Sequence, residues 1–116
     1  MKKLAFFLCF CLMGMMAQAQ IISTQVKMTI LDKNGNPVEG AKVTLYNNEA
    51  DYTKNINPIQ ETQVSDQKGR VTFKKLDTKR YYVRAEKGEM SNQWGADYIE
   101  KLIHHRINKV NVIIED

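Results

Sequence analysis

Cysteine, proline, histidine and tryptophan are all scarce in this chain: two, two, two and one among 116 residues. Both cysteines, Cys9 and Cys11, fall within the first nineteen residues, so residues 20–116 hold no disulfide, thiol nucleophile or thiolate metal ligand. Their stability must come from a packed core. No block of like charge occurs. A nucleic-acid footprint needs a basic stripe or cluster, so that partner class is excluded. No Ser/His/Asp arrangement, phosphate-cradling glycine loop or spaced acid pair is present, so the residues support neither an enzyme nor a cofactor.

The N-terminus carries the clearest positive signal. Lys2 and Lys3 precede an apolar stretch from Leu4 to Met16, and Ala17-Gln18-Ala19 closes it. A basic start, a short apolar run and an A-x-A site are the anatomy of a secretory signal peptide. The run falls short of the roughly 20 residues that a membrane-spanning helix needs. Leu8 and Phe10 precede the two cysteines where a lipidated cysteine needs a small residue, which argues against a lipid anchor. The expected product begins at Gln20, is secreted or periplasmic, and keeps neither anchor nor membrane span. Without Lys2 and Lys3, 15 basic residues face 13 acidic ones, a near-balanced solvated surface. Residues 20–116 suit one domain, long enough to bury roughly two-thirds of its unfolded surface.

Past Gln20 the apolar residues recur every second position. Val26, Met28 and Ile30 form one strand pattern; Ala41, Val43 and Leu45 form a second. Between them Asp32-Lys33-Asn34-Gly35-Asn36-Pro37 reads as a turn, since Asn-Gly favours positive φ and proline cannot continue a ladder. Residues 47–58 are polar and read as a long surface loop, a kind that is often functional. A short strand at 61–65, a turn at Asp66–Gly69, and strands around Val71/Phe73, Tyr81/Val83/Ala85 and Val110/Val112/Ile114 complete the pattern. Residues 88–108 are ambiguous. A strand over 93–102 is favoured, and a short helix near 96–105 is the alternative. Short strands with a turn about every ten residues predict an all-β sandwich or barrel.

Two segments narrow that choice. Ile30–Leu45 (ILDKNGNPVEGAKVTL) and Thr62–Val83 (TQVSDQKGRVTFKKLDTKRYYV) resemble carboxypeptidase regulatory-like and related transthyretin-like domains. The resemblance covers about half of residues 20–116. It implies a seven-stranded antiparallel Greek-key β-sandwich, prealbumin-like or Ig-like, used as a non-enzymatic accessory module of the bacterial envelope. Two chemistries of similar folds do not carry over. Collagen-adhesin B-type domains form an internal Lys–Asn/Asp isopeptide bond promoted by a buried glutamate, and the positions of that lysine and glutamate are Ile30 and Ala85 here. The hydroxyisourate hydrolase branch ends in Tyr-Arg-Gly-Ser, whereas this chain ends in Ile113-Ile114-Glu115-Asp116.

The candidate partner-binding residues are Trp94, Tyr98, Tyr52, His104 and His105. Trp94 stands in a polar, Gly-flanked stretch and either caps the core or joins Tyr98 as an aromatic platform. Tyr46, Tyr52 and Tyr82 sit in loops or on outward phases that could extend such a surface. His104 and His105 are adjacent, without the i, i+4 spacing of a helical metal site, and read as exposed turn residues. Asp32-x-Asn34-x-Asn36 echoes a calcium loop, but Pro37 and Val43 occupy the positions that loop gives to Gly and Glu. The reading is an envelope or extracellular protein as partner, met through loops or a sheet edge. Carbohydrate is the alternative.

Overall fold

The structure, a computed structural model, describes residues 21–116, so the signal-peptide reading lies outside the described residues. Strand β1 (Gln25–Leu31) buries Val26, Met28 and Ile30 completely and turns Lys27 and Thr29 outward, as a period of two requires. It is followed by β2 (Lys42–Tyr46), helix α1 (Glu49–Lys54), β3 (Gln63–Val64), β4 (Arg70–Phe73) and β5 (Tyr81–Lys87). The last strands are β6 (Met90–Ser91), β7 (Tyr98–Ile99) and β8 (Ile107–Ile113). They build two sheets, ordered β4-β1-β8 and β3-β2-β5-β6, with β7 pairing β5 as well. Val26, Met28, Phe73 and Val112 of one sheet join Val43, Leu45, Val83 and Ala85 of the other in a single apolar cluster. Each large aliphatic or aromatic side chain buried there stabilises the fold by roughly 1.5–3 kcal/mol.

The all-β sandwich is as expected, with four differences of detail. Among the described residues there are eight strands rather than seven. The arrangement is not wholly antiparallel: β1 and β8 run parallel over Gln25–Leu31 and Ile107–Ile113. Parallel pairing demands a long crossover, and the intervening second sheet supplies it. No helix forms near 96–105. The helix lies instead in the expected 47–58 loop, where the Asn48 side chain accepts the Asp51 N–H at 2.8 Å and Asn55 ends the helix in a left-handed conformation. Finally, the strand expected over 93–102 shrinks to Tyr98–Ile99, because residues 92–97 leave the sheet.

Two turns share one design and lock β1 in place. The Asp32 Oδ1 atom accepts the N–H groups of Asn34 and Asn36, both at 2.9 Å. Asp66 Oδ1 accepts those of Lys68 and Arg70, also at 2.9 Å. The glycine three residues on, Gly35 or Gly69, has positive φ and donates its N–H to the aspartate carbonyl. The Asp32 carboxylate is thus engaged by the backbone of its own turn. Gly69 also approaches β1 closely: its carbonyl accepts the Ile30 N–H at 2.6 Å, and a Cβ would stand 2.6 Å from the Ile30 carbonyl oxygen. Substitution Gly69→Ala is expected to lower unfolding stability by more than about 1 kcal/mol in a urea titration.

Donation from the Arg70 N–H, with further help from the Lys68 N–H, outweighs a local desolvation cost and holds the exposed Asp66 carboxyl below its ordinary pKa. A depressed carboxylate pKa contributes stability that is present above the unfolded value and lost as pH falls through the folded one. Asp66→Asn is therefore expected to lower the urea midpoint at pH 7. The gap to the parent chain should close as the pH drops below the usual carboxylate range.

Candidate functional site

The two sheets end side by side, with β8 at the margin of one and β6 and β7 at the margin of the other. Just past β8 a single bridge joins these margins, the Ser91 N–H to Glu115 carbonyl bond at 3.0 Å and its reciprocal at 2.9 Å. Beyond that bridge the sandwich stays open as a groove of about 590 Å³. Trp94, Tyr98 and Ile99 line one wall and Val110, Val112 and Ile113 the other, with Glu100 and Glu115 at the rim.

One side chain creates the opening. β6 pairs with Glu86 and Lys87 of β5, and β7 with Tyr81 and Tyr82, so neither reaches the middle of that strand. Asn92, 2% exposed, takes the missing place. Its Oδ1 accepts the Ala85 N–H at 2.9 Å and its Nδ2 donates to the carbonyls of Val83 at 2.9 Å and Ala96 at 3.2 Å. Its own N–H donates to the Ala85 carbonyl at 3.1 Å, and the Val83 N–H reaches Asp97 O at 2.9 Å. The chain between is free to bow outward, and it carries Trp94 at 69% exposure. Trp94 therefore does not cap the core.

Tyr98 connects this groove to α1. The rings of Tyr98, Tyr82, Tyr52 and Tyr46 form a row with successive centroids 6.0 Å apart. The Arg80 guanidinium lies 4.3 Å from the Tyr98 ring centre and that of Arg84 4.5 Å from Tyr52, cation–π spacings that stiffen the row. Burial pushes the Tyr52 hydroxyl pKa up, opposed in part by Arg84. Tyr46, expected on an exposed surface, is 2% exposed because α1 covers it and Asn55 accepts its hydroxyl hydrogen. The sequence-predicted Trp94, Tyr98 and Tyr52 thus lie along one continuous tract.

His104 and His105 lie elsewhere, in the turn before β8. The His105 N–H donates to Thr24 Oγ1 at 2.9 Å, His104 Nδ1 lies 3.4 Å from that oxygen, and His105 Nδ1 lies 3.0 Å from the Ile22 carbonyl. The structure therefore brings them to the segment entering β1, not to Trp94. Among the described residues no three His, Cys, Asp or Glu side chains gather as a metal site.

The margin of β8 is as informative as the cavity. Gln25 N–H to Arg106 C=O at 3.0 Å and Ile114 N–H to Leu31 C=O at 2.9 Å bracket the parallel ladder and fix its parity. Asn108, Val110 and Val112 turn their backbone groups to β1, while Ile107, Lys109, Asn111 and Ile113 turn theirs to the open side. Asn92 and the parity of this edge escaped sequence reasoning. A lone Asn in a polar stretch looks like any loop residue, and alternation does not disclose which neighbour a strand has.

The carboxypeptidase regulatory-like domain model matches residues 25–98, well over half of the chain. The chain belongs to that family. The matched span runs from β1 to Tyr98 and leaves out β8, the second wall of the groove. No curated protein matches the sequence. Among solved structures, this regulatory-like domain is similar to a variant of the major pilin subunit of Bacillus cereus (19% identity, TM-score 0.57, 82% of this chain and 30% of that one). It is similar too to a streptococcal ancillary pilin (15% identity, TM-score 0.61, 83% and 33%). The domain spans about a third of the length of either pilin, and what it shares with them is the sandwich fold. The two aligned isopeptide positions, Ile30 and Ala85, are both core residues with no exposure.

If Asn92 closes the gap in β5, truncating it strands the Val83 carbonyl and the Ala85 N–H in a buried site. Asn92→Ala is expected to cost roughly 2–4 kcal/mol of unfolding stability. Native-state hydrogen exchange should show faster exchange at Ala85.

Proposed function

We propose that this chain is an exported, non-enzymatic β-sandwich module of the bacterial envelope that binds a protein by strand addition. The signal-peptide anatomy of residues 1–19 supports export, with residues 20–116 as the single working domain. An extended segment of the partner lies along β8 and sends alternate side chains into the groove beside Trp94 and Tyr98. The observation that carries the reading is the coincidence of three features on one margin. Four residues of β8 offer free backbone groups, an apolar groove adjoins them, and an exposed tryptophan stands over it. In strand addition the main chain supplies affinity and the pockets supply selectivity. Aromatic anchors such as Trp and Tyr commonly dominate the binding energy of such contacts. The fold shared with two pilins suits a module at the cell surface.

A second reading rests on the same exposed ring. Trp94 and Tyr98 at the mouth of an open groove would also serve as a stacking platform for a sugar, making the module carbohydrate-binding.

Trp94 is the sole tryptophan, so its fluorescence reports directly on the groove. Titration with a panel of extended peptides that alternate apolar and polar residues is expected to shift its emission to the blue. Amides of Ile107, Lys109, Asn111 and Ile113 should become protected from exchange. Trp94→Ala should weaken peptide binding by about tenfold or more, some 1.4 kcal/mol. Capture by a glycan array through Trp94, with no peptide response, would replace this reading by the carbohydrate one.

A further inference from the structure

The sandwich treats its margins unequally. β4 is short, and its outer backbone is already occupied: Gln63 Nε2 donates to the Thr72 carbonyl at 2.6 Å, the Thr72 N–H reaches Gln63 Oε1 at 3.3 Å, and Gln60 Nε2 donates to the Lys74 carbonyl at 2.7 Å. β3 has two residues. The margin of β6 and β7 is broken by the Asn92 loop. These are the devices by which β proteins keep their edges from pairing with other chains. β8 is neither short, capped by side chains nor broken; Lys109 is its one charged residue, and the Ser91–Glu115 bridge covers its open side only past Ile113. The strand runs seven residues without proline or bulge, and Ile107 and Ile113 expose 44% and 53% of their surface on its outer face.

The order of residues along β8 is self-complementary. In an antiparallel pair of two β8 strands, the outward-pointing backbone groups of Ile107, Lys109, Asn111 and Ile113 must meet one another. A two-fold axis through Val110 satisfies all four. Ile107 then faces Ile113 of the other copy, and Lys109 faces Asn111. The contact forms about eight backbone hydrogen bonds. Val110 meets its own counterpart on the groove side, below Trp94. Centring on Lys109 instead would set the two Lys109 side chains opposite each other. Because Lys27 already faces Lys109 across the ladder, that register would align four cations in one row. Centring on Asn111 would leave Ile107 outside the strand pairing. The Val110 register alone covers every exposed isoleucine of the strand with another.

We propose that the segment added to β8 is β8 of a second copy of this chain, paired antiparallel about Val110 into a continuous six-stranded sheet. The proposal rests on reading the β8 margin as a strand-addition site and names its occupant. Such an interface is isologous, so a single pair of substitutions tests its register.

The experiment is sedimentation equilibrium of the purified protein from about 1 to about 500 µM, since a dimer of this kind depends on protomer concentration. Three chains are compared: the parent, Ile107→Lys/Ile113→Lys, and Ile107→Lys/Ile113→Glu. Within one chain these positions lie about 20 Å apart and do not pair. Across the axis the first variant opposes lysine with lysine, and the second opposes lysine with glutamate. Both positions are exposed, and far-UV circular dichroism confirms that the variants are folded.

The parent is expected to dimerise, the lysine pair to weaken the dimer at least about tenfold, and the lysine–glutamate pair to regain most of that loss. A parent that stays monomeric throughout, or a lysine pair as dimeric as the parent, overturns the inference. So does a lysine–glutamate pair no tighter than the lysine pair. If the parent is monomeric but extended peptides still shift Trp94 emission, strand addition stands and only self-pairing falls.

Discussion

The amide of Asn92 completes the edge of β5 where neither β6 nor β7 reaches, and the open side of the molecule follows from it. A primary amide can donate and accept at once, which is what one backbone residue does in a ladder. Here a side chain performs that task, so the backbone of residues 92–97 can leave the sheet without orphaning the groups it abandons. The displaced chain lifts Trp94 into solvent and leaves the two sheets unsealed opposite β8. A continuous strand from Met90 to Ile99 would have hidden the tryptophan and narrowed the groove.

Alternation made the larger strands visible in advance. Val26/Met28/Ile30, Val43/Leu45, Val71/Phe73 and Tyr81/Val83/Ala85 all bury the phase that their hydrophobicity marks. Both aspartate–glycine turns were legible too, because their chemistry is local. The parallel course of β8 was not, since a period of two carries no direction. Helix α1 was hidden by its brevity. Asn48, Asp51 and Asn55 supply capping chemistry, but a six-residue helix, mostly polar and without an apolar stripe, looks like a loop.

The candidate site was legible in part for similar reasons. Trp94, Tyr98 and Tyr52 stood out as aromatics in polar surroundings, and long-range packing places them in one tract through Tyr82, whose outward phase could be read. His104 and His105 also stood out by rarity, but their ring nitrogens and backbone are directed to Thr24 and Ile22. They fasten the entry of β1 to the turn before β8. The family match ends at Tyr98, so it describes the scaffold and is silent about the strand that forms the other half of the groove.

The parallel pairing of β1 and β8 bears on the order in which contacts form during folding. β1 occupies the centre of its sheet, yet its flank on one side consists wholly of residues 107–113, far along the chain from it. The sheet therefore stays incomplete until residues 107–113 reach β1. Contacts between such distant segments are slow to form, because the long stretch of chain between them must be gathered first. Until β8 docks, β1 lacks its second neighbour and its backbone groups on that side stay unpaired.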